Sequence, residues 1–125
     1  MVRAVLDAYN RGDLEAAFEH VTDGFELDWS RSLVPLGGVY RGRQGVERLY
    51  REYAEVFTNV HIEVEEFIDA GDAVVVPNVG RVRGRDGIAV EARSTIVWTI
   101  RNGEAVHAGL YQHKAEALEA LGLRA

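Results

Sequence analysis

From Val60 to His113 the chain alternates apolar and polar residues in four runs, separated by Ala70-Gly71-Asp72, Arg85-Asp86-Gly87 and Asn102-Gly103. Successive side chains of a strand point to opposite faces, so this stretch predicts a four-stranded antiparallel meander. Its first three strands carry apolar residues at even positions, among them Val60, Ile62, Val64, Ile68, Val76, Ile96 and Trp98. Odd positions carry His61, Glu63, Glu65, Arg81, Arg83, Glu91 and Arg93, and so face away. A sheet with one long apolar face requires a cover.

The rest of the chain supplies it. Val2, Val5, Leu6 and Tyr9 fall at helical spacing, and Gly12 suits a left-handed helix end. Asp13 is a good N-cap for a second helix, with Leu14, Ala17, Phe18 and Val21 as its stripe. After a turn at Thr22-Asp23-Gly24, the alternation of Phe25, Leu27 and Trp29 predicts a half-buried strand. Residues 31–38 read as loop, with Pro35 and a glycine pair. A third helix places Val46, Leu49, Tyr50, Tyr53, Val56 and Phe57 on one face, and residues 115–121 form a short closing helix. The expectation is a single α+β domain over residues 1–125, with helices packed on a mainly antiparallel sheet.

Turn chemistry sets the strand registers. Read as three-residue loops, the first two turns keep even residues opposite even, which places Val64 across from Asn78 and Asn78 across from Ser94. Asn102-Gly103 is a strong signal for a two-residue type I′ turn, which shifts parity. Trp98 then faces His107 and Ser94 faces Tyr111, so that His107 and Tyr111 turn inward. Alternation along the last strand argues the reverse, with Val106, Ala108 and Leu110 inward. A slip of one residue swaps the whole strand between faces. We read the turn as decisive here, because it leaves both faces chemically sensible.

Composition narrows the function. A formal charge of −6 argues against non-specific nucleic-acid binding. The chain has no cysteine, which excludes disulfides and thiolate metal sites, and its four histidines show no metal spacing. No glycine-rich phosphate cradle precedes a helix, so no cofactor is expected. No apolar run approaches the roughly 20 residues of a membrane span, and the amphipathic start is unlike a signal peptide. The expected location is cytoplasmic.

Several motifs in order carry a family resemblance. They are Ala8-Tyr9-Asn10-Arg11-Gly12-Asp13-Leu14, then Tyr40-Arg41-Gly42-Arg43 before an amphipathic helix. The Asp86-Gly87 and Asn102-Gly103 turns of the meander follow, and then Glu116-Ala117-Leu118-Glu119-Ala120-Leu121-Gly122-Leu123. Over nearly its whole length the chain resembles the SnoaL-like branch of the NTF2-like superfamily. The resemblance implies an α+β cone: helices packed into a strongly curved sheet, a pocket between them, and a homodimer through the sheet's other face. The superfamily includes ketosteroid isomerases, polyketide cyclases, epoxide hydrolases, dehydratases and members without catalysis. At the positions of the isomerase tyrosine and two aspartates this chain carries Val5, Trp29 and Ile96, none of which moves a proton from carbon. The acid required on the last strand by the epoxide hydrolases is missing after Glu104.

Within that frame the candidate catalytic residues are His107, as acid or base near neutral pH, and Tyr111 as donor. The expected pocket lining is Trp29, Tyr53, Phe57, Asn78, Ser94, Ile96 and Trp98. Asn78, Ser94 and Tyr111 form an expected polar row on an apolar wall, suited to orienting a small apolar or polycyclic ligand. An apolar patch of Val75, Pro77, Val79 and Val97 on the second face is the expected seam of a homodimer. Two functions remain open from the sequence. One is cofactor-free proton transfer; the other is a non-catalytic ligand-binding or assembly domain whose interior is plugged by Trp29, Phe57 and Trp98.

Overall fold

The computed structural model describes residues 2–30 and 38–122. Four helices and seven strands follow in the order α1 (Val2–Asn10), α2 (Leu14–Phe18), β1 (Val21–Asp28), β2 (Val39–Arg41), α3 (Gly42–Val56), β3 (Phe57–Val64), β4 (Ile68–Ala70), β5 (Ala73–Gly84), β6 (Ala89–Arg101), β7 (Glu104–Tyr111) and α4 (Lys114–Ala120). The strands form one sheet in the order β2-β1-β7-β6-β5-β3, with β4 pairing on β5. All pairs are antiparallel except β1 with β7. Among the described residues, no helix is long and apolar enough to cross a membrane.

The first two helices form where their caps and stripes direct. α1 buries Val2, Val5, Leu6 and Ala8 and ends at Gly12, whose φ of +77° needs no Cβ clearance. The Asp13 carboxylate accepts the Ala16 N–H at 3.1 Å and starts α2. That helix is only five residues long, so Val21, expected on its stripe, opens β1 instead. Thr22-Asp23-Gly24 is not a separate turn; it falls in an irregular stretch of β1 where the pairing with β7 shifts register. Asn10 ties α1 to the sheet. Its amide donates to the Ile62 carbonyl at 2.8 Å and accepts the Ile62 N–H at 2.9 Å, satisfying backbone groups of the edge strand β3. Phe57, expected on α3, begins β3. The loop expected over residues 31–38 lies, apart from Gly38, outside the described residues.

Two hairpins carry an extra residue that resets parity. Asn102 (φ +52°) and Gly103 (φ +77°) make the two-residue turn, so Arg101 pairs with Glu104 and Ile100 with Ala105. The next pair is Thr99 with His107, which leaves Val106 as a β-bulge. Beyond it even faces even: Trp98 opposes Ala108 and Ile96 opposes Leu110. The expected inward placement of His107 and Tyr111 is therefore corrected. The turn forms as its residues require, and a bulge three residues later cancels its parity shift. A core that buries Ala105, Ala108 and Leu110 is the driving force.

The β4–β5 hairpin does the same. Gly71-Asp72 is a two-residue turn joining Ala70 to Ala73, not a three-residue loop. The extra residue lies in the break over residues 65–67, after which Val64 pairs with Asn78 as expected. Asn78 in turn pairs with Ser94. Ile68 consequently opposes Val75 on the second face, instead of joining the apolar inner face.

The main core lies between α1–α3 and the inner face, built from residues such as Leu6, Phe25, Leu49, Val76, Ile96 and Ala108. A smaller cluster lies on the second face, where Ala117 and Leu118 of α4 pack on Ala73, Val75 and Val97 with Tyr111 beside them. Two of the four residues expected at a dimer seam, Val75 and Val97, are thus covered by the chain's own last helix.

Candidate functional site

Between the three helices and the inner face of the sheet lies a cavity of about 410 Å³. Trp29, Tyr53, Phe57, Asn78, Ser94, Ile96 and Trp98 all line it. Its walls are mostly aromatic and aliphatic, and ring packing fixes their shape. Tyr53 stacks on Phe57 with centroids 5.6 Å apart, and Phe25 stacks on Trp98 at 6.1 Å. Tyr9 meets Tyr50 edge to face at 6.0 Å.

Polar groups on this wall are few. Asn78, only 2% exposed, donates from Nδ2 to the Val76 carbonyl at 3.0 Å and accepts the Ser94 hydroxyl on Oδ1 at 3.2 Å. Tyr111 does not extend this row. Gln112, one residue on, lines the cavity in its place, as the parity of β7 requires. The Trp98 indole N–H is the one sealed side-chain polar atom without a partner among the described residues. Such a group costs about 1–3 kcal/mol and is a weak point of the wall.

His107 and Tyr111 are absent from the lining and lie on the second face. The His107 ring lies over Gly109, so close that a Cβ there would stand 3.1 Å from its Cε1. Glycine at that position makes room for the imidazole and is not a point of broken pairing, since Gly109 opposes Val97 in register. Gly80 likewise pairs regularly on both sides, with Ile62 and Ala92.

The electrostatics of the cavity are those of neutral donors. Burial raises the Tyr9 hydroxyl pKa well above the ordinary tyrosine value, with a further rise from neighbouring Tyr53 and Tyr50. Burial also raises Tyr53, partly offset by its hydrogen bond with the Trp29 side chain. Charged lining residues among those described are Glu91 and Arg93, and both are engaged outside the cavity. Arg81 Nε holds Glu91 at 2.9 Å, and Arg93 pairs with Glu65 at 2.6 Å. Glu66 is likewise held at the surface by Lys114 at 3.0 Å. Among the described residues no three His, Asp or Glu side chains are grouped to hold a metal ion.

Sequence reasoning passed over Tyr9 and Gln112 as cavity residues. Tyr9 was legible as a member of the α1 apolar stripe, one turn beyond Val5, but that stripe does not distinguish a core residue from a cavity residue. Gln112 depended on the bulge at Val106.

Comparison with known proteins places this architecture. A family model described as a SnoaL-like domain matches residues 2–108. Among solved structures, TerC co-crystallised with polyporic acid is 21% identical, with 97% of this chain and 95% of that chain covered at a TM-score of 0.80. An NTF2-like protein of unknown function from Burkholderia pseudomallei K96243 is 25% identical over 96% of this chain and 93% of that one, with a TM-score of 0.78. A protein from Catenulispora acidiphila DSM 44928 with a ketosteroid isomerase-like fold, solved in complex with trimethylamine, is 17% identical. It covers 98% of this chain and 92% of its own length at a TM-score of 0.77. No curated protein matches the chain in sequence. These likenesses establish an NTF2-like, cystatin-like α+β fold.

Proposed function

Because this chain belongs to the SnoaL-like domain family, we propose that it binds a small apolar, ring-containing molecule in the cavity between its helices and its sheet. The observation that carries this reading is an open space of about 410 Å³ with aromatic walls and one hydrogen-bonded polar pair, Asn78–Ser94. Small-molecule sites have this character: a few hundred cubic ångströms, mostly apolar, with a few polar groups to orient the ligand. Trp29, Phe57 and Trp98 line the space without plugging it. The neighbour TerC, co-crystallised with polyporic acid, supports such a use of the fold.

Binding is favoured over proton transfer by the same wall. Its described lining has no imidazole and no carboxylate free of an ion pair, and the buried tyrosines hold their protons more tightly than usual. A general base must reach the proton it removes. His107 is on the wrong face for that, and no other described lining residue takes its place.

The test uses the chain's own reporters. It has two tryptophans, Trp29 and Trp98, and both line the cavity. Titration with a panel of two- to four-ring aromatic and alicyclic compounds should give saturable quenching for at least one compound, with a matching rise in the thermal midpoint. Absence of both signals across the panel, up to the solubility of each compound, overturns the proposal.

A further inference from the structure

We infer that Tyr9 is the hydrogen-bond donor for a carbonyl or similar acceptor oxygen on the bound ring system, which narrows the ligand class to ring ketones and quinones. This rests on the pocket reading above and adds to it the group that selects among apolar rings.

The other cavity hydroxyls and amides are oriented by neighbouring groups. Ser94 donates to Asn78, and Asn78 donates to Val76. The Tyr53 oxygen is turned toward the Trp29 indole N–H, from which it accepts. Tyr50 points its hydroxyl at the α1–α2 turn, where a Cβ on Gly12 would stand 3.1 Å from that oxygen. Tyr9 differs. It lines the cavity, and no hydrogen bond to its hydroxyl is found among the described residues. Nor is its oxygen among the sealed, unpartnered atoms, a condition met only by Trp98 Nε1 in the described structure. Its hydroxyl therefore opens on space that a ligand can fill.

The group is also held in place before any ligand arrives. Its ring is locked edge-on against Tyr50, and the next residue, Asn10, is bonded to both backbone groups of Ile62. A donor fixed in advance loses little freedom when its acceptor binds. Burial raises its pKa, so it stays a donor throughout the neutral range. On an apolar wall, a ligand without an acceptor strips this hydroxyl of water and gives nothing back. One with a carbonyl restores the bond.

The experiment compares 9-fluorenone with fluorene, the same three rings with and without a carbonyl. Dissociation constants are measured by equilibrium dialysis on the full chain, on Tyr9→Phe and on Tyr111→Phe, whose side chain lies on the second face outside the cavity. The fluorenone-to-fluorene affinity ratio should fall roughly three- to tenfold in Tyr9→Phe and hold in Tyr111→Phe. On the unaltered protein, the infrared carbonyl stretch of bound fluorenone should move to lower wavenumber than in hydrocarbon solvent. If both compounds bind but neither the ratio nor the stretch moves, the tyrosine inference falls and the pocket reading stands. If neither compound binds and the wider panel also fails to quench, the pocket reading itself falls. If only other panel compounds bind, and ketones among them show no preference sensitive to Tyr9→Phe, the inference falls alone.

Discussion

His107 pairs with Thr99 across the β6–β7 ladder, one position away from Trp98, and this single step puts its imidazole on the face opposite the cavity. Its ring covers Gly109 there, and Tyr111 follows on the same side. His107→Ala should leave the affinity of any cavity ligand within about twofold, since separated sites without shared partners act almost independently. The check is tryptophan quenching by the same ligand on both proteins; a tenfold loss would contradict the register described here.

The bulge makes a sharper prediction. Deleting Val106 joins Ala105 to His107 and gives a regular ladder, in which Thr99 still opposes His107 and Trp98 still opposes Ala108. Deleting Gly109 instead moves Leu110 out of the core and turns Tyr111 inward. Urea unfolding should show the Val106 deletion folded and binding. The Gly109 deletion should be destabilised by about 2 kcal/mol or more, from loss of one buried leucine.

Gly80 offers a way to fill the cavity without disturbing the sheet. It lines the space, its φ is not positive, and the nearest atom to an added Cβ is the Ala92 carbonyl oxygen at 3.7 Å. Gly80→Phe should fold at least as stably, because a strand interior prefers an aromatic residue to glycine. Ligand affinity should drop roughly tenfold or more as the ring displaces apolar contact. Thermal unfolding and the quenching titration, run together, separate the two effects.

Alkaline pH should weaken the fold through its buried tyrosines. Tyr9 and Tyr53 ionise with more difficulty in the folded chain than in the unfolded one, where tyrosine titrates near about 10. Their stabilising contribution is complete below that value. It is lost as pH rises above it, because the unfolded chain releases its protons first. Urea midpoints between pH 8 and 11 should fall at the upper end, and Tyr9→Phe should fall less steeply. Equal slopes would show that Tyr9 does not contribute.

Much of the fold was legible because local chemistry and global packing agree in most elements. The Asp13 cap and the left-handed Gly12 each act within a few residues, and each appears where its pattern lies. The same holds for the Val64–Asn78–Ser94 alignment, although the route to it differed. The α3 stripe buries Leu49 and Tyr53, but Val56 at its end is exposed and Phe57 opens β3. Val21 shows the limit: its helical spacing was real, but α2 stops at Phe18 and the residue pairs with Ala105 in the sheet. Sheet parity alone directs Asn78, Ser94, Ile96 and Trp98 to the inner face.

The sequence by itself determined the turn at Asn102-Gly103, the alternation on either side of it and the need for a helical cover. These depend on backbone sterics and side-chain spacing, which are local. Which face receives His107 was decided only by the tertiary structure. Turn and alternation made opposite demands on β7, and the chain met both by placing one unpaired residue, Val106, between them. A bulge costs a little ladder pairing, whereas exposing Leu110 and burying His107 against Trp98 would forfeit core burial along the whole strand. That balance involves β1, β6 and the helices at once. No window of the sequence around Val106 contains it.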